Sequence, residues 1–118
     1  MYCIDIDMDG YELLVYLQKK RVELLNALKL SKDRGIALAE AERAYKVEKA
    51  KYMASARAEK IPVTLIRDLA QGDKRISELR KKRDIAKVLY LNATEAINVF
   101  KLECRLVEAQ IKREWNDA

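Results

Sequence analysis

A heptad repeat runs from Ile76 to Glu114, and it restricts this part of the chain to a long helix with a packed seam. The a positions are Ile76, Arg83, Tyr90, Ile97, Cys104 and Ile111; the d positions are Leu79, Ala86, Ala93, Phe100, Val107 and Glu114. Ten of these twelve are apolar or amphipathic aromatic residues. That spacing buries one face of a helix along its whole length. The predicted helix covers residues 74 to 115, about 63 Å at 1.5 Å per residue.

Residues 11 to 60 read as the facing helix. They are rich in Leu, Ala, Glu and Lys, all good helix formers. Leu14, Leu17, Leu24, Leu28, Leu38, Tyr45, Tyr52 and Ala56 share one 3-4 frame, although Arg21, Ser31, Gly35, Glu42, Lys49 and Glu59 share it too. The frame keeps its phase across Ser31–Gly35, which two separate helices would have no reason to do. Ser31, Asp33 and Gly35 still weaken the helix, Gly by about 1 kcal/mol against Ala. One arm kinked near 31–35 is expected; a true break there, with residues 11 to 30 folding back, is the alternative.

Between the arms, residues 61 to 73 (IPVTLIRDLAQGD) hold the chain's single proline. Pro62 disfavours helix at Ile61 and ends the first arm. Val63 to Gln71 can form a short helix capped by Gly72, with Asp73 as the N-cap of the next. The fold class is therefore all-α: a long antiparallel, coiled-coil-like helical hairpin in one domain, 11–118, with arms 11–60 and 74–115 and connector 61–73. Residues 1–10 alternate Ile4, Ile6 and Met8 with Asp5, Asp7 and Asp9, which reads as a short strand or a terminal tail.

A second apolar line lies on the back of the last helix: Ile85, Val88, Leu91, Val99, Leu102 and Leu106. One facing helix cannot cover both sides. These six are the expected interface of a homo-oligomer, a dimer closing a four-helix bundle.

Charge is unevenly placed. The net charge is +5, yet residues 43 to 87 hold 14 basic and 6 acidic side chains. Arg80, Lys81, Lys82 and Lys87 on one arm, with Lys46 and Lys49 on the other, form a basic zone near the connector. Such a zone can neutralise phosphates, with Tyr45 or Tyr52 available for stacking. Interleaved Glu48, Glu59, Glu78 and Asp84 suit an ordinary solvated helix face equally well. Arg83, at an a position, needs a carboxylate, and Glu42 or Glu48 on the facing arm would serve.

Several function classes fall away. Histidine is absent, which removes the commonest general base and the commonest metal ligand. Two cysteines cannot build a disulfide framework or a four-Cys zinc site. Asp5-x-Asp7-x-Asp9-Gly10 starts like a calcium loop, but its twelfth position is Tyr16 where a bidentate Glu is needed. Cys104 reads as a small core residue, and Tyr90, Phe100 and Trp115 as core or interface aromatics. No cofactor, metal or catalytic set is expected, and the chain is expected not to be an enzyme. The start has no basic n-region and no apolar run reaches ~20 residues, so the expected compartment is a reducing cytoplasm.

Four stretches carry a resemblance: AEAERAYKVEKAK (39–51), IPVTLIRDLAQGD (61–73), LRKKRDIAKVLY (79–90) and EAINVFKLECRLVEAQIKREW (95–115). Over residues 36 to 115 the chain resembles a family of small helical proteins encoded by phages and prophages of Gram-positive bacteria. That family has no settled activity, and its genes lie among phage replication and recombination genes. The resemblance implies a non-enzymatic accessory role in phage DNA metabolism inside the bacterial host, through DNA or a DNA-bound protein. A phage-encoded helical inhibitor of a host protein and an assembly scaffold are the alternatives.

Overall fold

The computed structural model describes residues 9–117, and all regular structure among them is helical. Helix α1 spans Gly10–Ala58, α2 Val63–Gly72 and α3 Lys74–Asp117. Helices α1 and α3 pack against each other as the two arms of the hairpin. No described helix is long and apolar enough to cross a membrane. The alternation of residues 1–8 lies outside the described residues; Asp9 is described and has a defined role. Its Oδ1 accepts the Glu12 amide at 2.8 Å, which makes it the N-cap of α1.

The α1 helix is uninterrupted through Ser31–Gly35. Residues 11 to 30 therefore belong to the same helix as residues 36 to 58, with no break at 31–35. Beyond Ala58 the chain closes the helix with two bonds, Lys60 N–H to Arg57 O at 3.0 Å and Ile61 N–H to Ala56 O at 3.1 Å. This is a Schellman pattern, and it needs a left-handed residue at its C′ position. Lys60 occupies that position with φ 62°, where glycine is usual. Pro62 follows and opens α2 by accepting the Leu65 amide at 2.9 Å. Asp73 caps α3: its Oδ1 accepts the Ile76 amide at 3.1 Å.

The chain divides into two compact units, residues 33–91 and residues 1–32 with 92–118. In the contiguous unit, Tyr45 of α1, Ala70 of α2 and Ile76 of α3 form the core, with Tyr52 and Leu79 packed on it. Ile66 and Ala70, one turn apart, turn the same face of α2 inward. In the other unit, Leu13 and Leu17 of α1 pack with Cys104 and Val107 of α3, flanked by Tyr16 and Ile111. Every a and d position of α3 from Ile76 to Glu114 is buried or half-buried.

The α1 frame needs a correction. Leu17, Leu24, Leu38, Tyr45 and Tyr52 do face inward, and so does Ala56. In the terminal unit, however, the companion row is Leu13, Lys20 and Ala27, one residue before the expected Leu14, Arg21 and Leu28. Leu14 and Leu28 are exposed. A straight helix drifts about 20° per heptad against a 3.5-residue repeat, so a row continued over this length moves off the seam.

Candidate binding surface

The basic run on α3 is spread by helical geometry. Consecutive residues are about 100° apart, so Arg80 and Lys82 point to opposite edges of the helix and Lys81 lies on its outer face. Lys87 shares the edge of Arg80, seven residues on. Lys46, Lys81, Lys82 and Lys87 are exposed. Among the described residues none of these four makes an ion pair.

Four neighbouring cations, Arg75, Arg80, Arg83 and Lys49, are engaged. Arg80 donates a long hydrogen bond, 3.5 Å, to the carbonyl of Gln71 near the end of α2. Arg75 lies 3.4 Å from Glu48, which also pairs with Lys51 at 3.7 Å. Lys49 stands 5.6 Å above the Tyr45 ring. Arg83 stacks on the same ring, its Cζ 4.5 Å from the centroid. Its carboxylate is Asp84, whose Oδ1 accepts from Arg83 Nε at 3.1 Å and Nη2 at 2.9 Å. The expected partners Glu42 and Glu48 are thus replaced by the adjacent residue, and Glu48 belongs to Arg75. The Asp84 bonds raise the Arg83 pKa, against the opposing effect of burial.

Tyr45 is corrected as well. Its ring is buried in the core and carries Arg83 and Lys49, so it offers no face to a base. Tyr52 is half-buried against the same core. Trp115 is 67% exposed, so it is not a core aromatic.

No protein-family model, curated protein or solved structure matches this chain.

The outer face of α3 holds a shallow groove of about 430 Å³, lined by Ser77, Arg80, Lys81, Asp84, Ile85, Val88 and Leu89. All seven come from α3 itself. Its floor belongs to the apolar line read from the sequence, and Ile85, Val88, Leu102 and Leu106 are 51%, 56%, 47% and 41% exposed. Leu91 is exposed and Val99 half-buried on the same side.

The terminal unit contains an ion pair that the sequence reading missed. Lys20 Nζ lies 2.8 Å from Glu103 Oε2 and 3.1 Å from Glu23, and 5.1 Å over the Tyr16 ring. Glu103 is buried, and among the described residues no other group hydrogen-bonds this oxygen. The Glu103 contact raises the Lys20 pKa, and burial opposes it without prevailing. The signal was available: Glu103 sits at a g position, the flank that meets a facing helix in a hairpin. Beside it, burial pushes the Cys104 thiol up, so this cysteine stays a neutral core side chain.

Proposed function

We propose that this chain is a non-enzymatic accessory protein of phage DNA metabolism. It acts in the cytoplasm of the bacterial host as a homo-oligomer that binds nucleic acid or a DNA-bound protein. The observation that supports this reading is the contrast within residues 33–91. Arg75, Arg80 and Arg83 there are tied to a carboxylate, a carbonyl, and a carboxylate with a ring, respectively, while Lys46, Lys81, Lys82 and Lys87 are exposed without an ion pair among the described residues. An exposed ammonium with no carboxylate neighbour is open to neutralise a phosphate, which frees the cations condensed on the nucleic acid, and that release drives binding. Arg80 and Lys49 flank the set and supply further charge. The phage setting follows from the sequence resemblance.

The experiment is a fluorescence-anisotropy titration with single- and double-stranded oligonucleotides at low salt and near 0.15 M. Saturable binding is expected, with a log–log salt slope of about 0.9 per neutralised phosphate on duplex DNA and about 0.7 on single strands. Lys81→Glu with Lys82→Glu is expected to abolish it. Absence of binding even at low salt overturns the nucleic-acid reading.

A further inference from the structure

The last turns of α1 and one side of α2 enclose a cleft of about 520 Å³. It is built from residues 53 to 68, wholly within the unit 33–91, and none of the lysines assigned to phosphate lines it. Helical spacing raises its walls. Met53 and Arg57 stand four apart on α1, and Val63 and Arg67 four apart on α2, with Thr64 and Asp68 as the next row. Ile66 is buried and Met53 half-buried, so they form an apolar floor; Arg57, Arg67 and Asp68 are exposed and form a charged rim. A concave site of this size, apolar with a few convergent polar groups, has the usual form of a ligand site. The rim is also unspent. Among the described residues the side chains of Arg57, Arg67 and Asp68 make no ion pair, hydrogen bond or ring contact. A basic residue in the last turn of α1 suits the helix by itself, which accounts for Arg57. Arg67 stands in the middle of α2 and has no such reason.

We propose that this cleft binds an acidic, apolar peptide segment of a partner protein. Side-chain carboxylates of the segment lie on Arg57 and Arg67, whose planar guanidiniums take a carboxylate with two parallel bonds. An apolar side chain between them rests on Met53 and Ile66. Asp68 decides against a phosphate ligand. An ionised carboxylate only accepts hydrogen bonds, so it repels a phosphate and welcomes the backbone N–H of a peptide. No aromatic ring lines the cleft either, so a nucleobase has nothing to stack on. The proposal names the partner chemistry for the protein-binding branch of the proposed function and rests on that branch. It leaves Lys81 and Lys82 of α3 free for their own ligand.

The test is isothermal titration calorimetry of the full chain with the peptide acetyl-Asp-Leu-Asp-Leu-amide, whose carboxylates all belong to side chains. Saturable binding near 0.15 M salt is expected. Arg57→Gln and Arg67→Gln are each expected to weaken it about tenfold, the loss of one charge-assisted contact. Both residues are exposed, so the core is left intact, and circular dichroism checks that each variant is folded. Lys81→Glu with Lys82→Glu is expected to change the affinity by less than about threefold, because salt screens distant charges. The same peptide with serine in place of leucine is expected to bind about tenfold more weakly. Binding that ignores both arginine substitutions, or falls as far with the lysine pair, places the peptide elsewhere and overturns the proposal. Equal binding of the serine peptide shows attraction by charge alone and overturns it too, as does full displacement by inorganic phosphate. Absence of peptide binding overturns it while oligonucleotide binding, measured on the same preparation, leaves the nucleic-acid reading standing.

Discussion

Tyr90 of α3 lies directly against Gly35 of α1: a Cβ added at Gly35 would stand 3.2 Å from the Tyr90 ring. The glycine that weakens the first arm is thus the place where a facing aromatic comes close to backbone. Gly35→Ala gains about 1 kcal/mol of helix propensity, and the crowding against Tyr90 offsets it. In a Tyr90→Ala background the crowding is gone and the full gain returns. Urea melts of the two single variants and the double variant read this coupling; additive effects would show that the ring yields freely.

Lys60 holds a left-handed conformation that costs an L-residue roughly 1–2 kcal/mol. Lys60→Gly keeps the Schellman bonds and removes that strain, so it is expected to stabilise the chain by about 1 kcal/mol. A thermal melt measures it. A lower midpoint would mean that the Lys60 side chain has a compensating contact.

The pairing of Lys20 with Glu103 is costly to break from one side. Lys20→Met leaves a buried carboxylate without its cation and is expected to cost about 3 kcal/mol. Lys20→Met together with Glu103→Met replaces both charges by apolar volume and is expected to recover most of the loss. If the double variant is no better than Lys20→Met, the pair holds something besides its own charges.

Alkaline pH acts on the same neighbourhood in two stages. Burial raises the Cys104 thiol above its ordinary 9.0, and Glu103 raises Lys20 above its ordinary 10.5. In both cases the folded state holds its proton longer than the unfolded chain, so it binds more protons between the two pKa values. Stability from each group is complete below the unfolded value and falls as pH rises through the folded one. Urea midpoints should be level in these two contributions from pH 6 to 8, then decline above about 9 and again above about 10.5. Cys104→Ala removes the first decline and Lys20→Met the second. A decline unchanged in both variants would assign it to other groups.

How much of this was legible in the sequence depends on side-chain size and on angle. The seam of α3 could be read because both of its rows are marked by apolar residues from end to end. The α1 seam was misplaced near its start because Leu28 outweighs Ala27 in hydrophobicity. The smaller residue is the one turned inward, and Leu13 and Leu14 offered no contrast at all. The caps at Lys60 and Asp9 were missed for a related reason: neither looks like its role, a lysine standing where glycine is usual and an aspartate sitting in an alternating run. At the basic surface the sequence groups residues that the helix separates, because four consecutive cations cannot share one helix face. Arg83 found its carboxylate one residue away, where a search across the hairpin does not look.

The two units differ in how far apart in the chain their partners lie. Tyr45 and Ile76 are joined within residues 33–91, whereas Leu13 and Leu17 wait for Cys104 and Val107. Closing the longer loop costs about 1 kcal/mol more entropy if the shorter is not already shut, and about half of that once it is. The order of assembly follows: the connector end forms first and the pairing proceeds toward the termini. The first half of α1 is made well before its partners and docks last, so Leu13 and Leu17 remain uncovered until Cys104 and Val107 have been made.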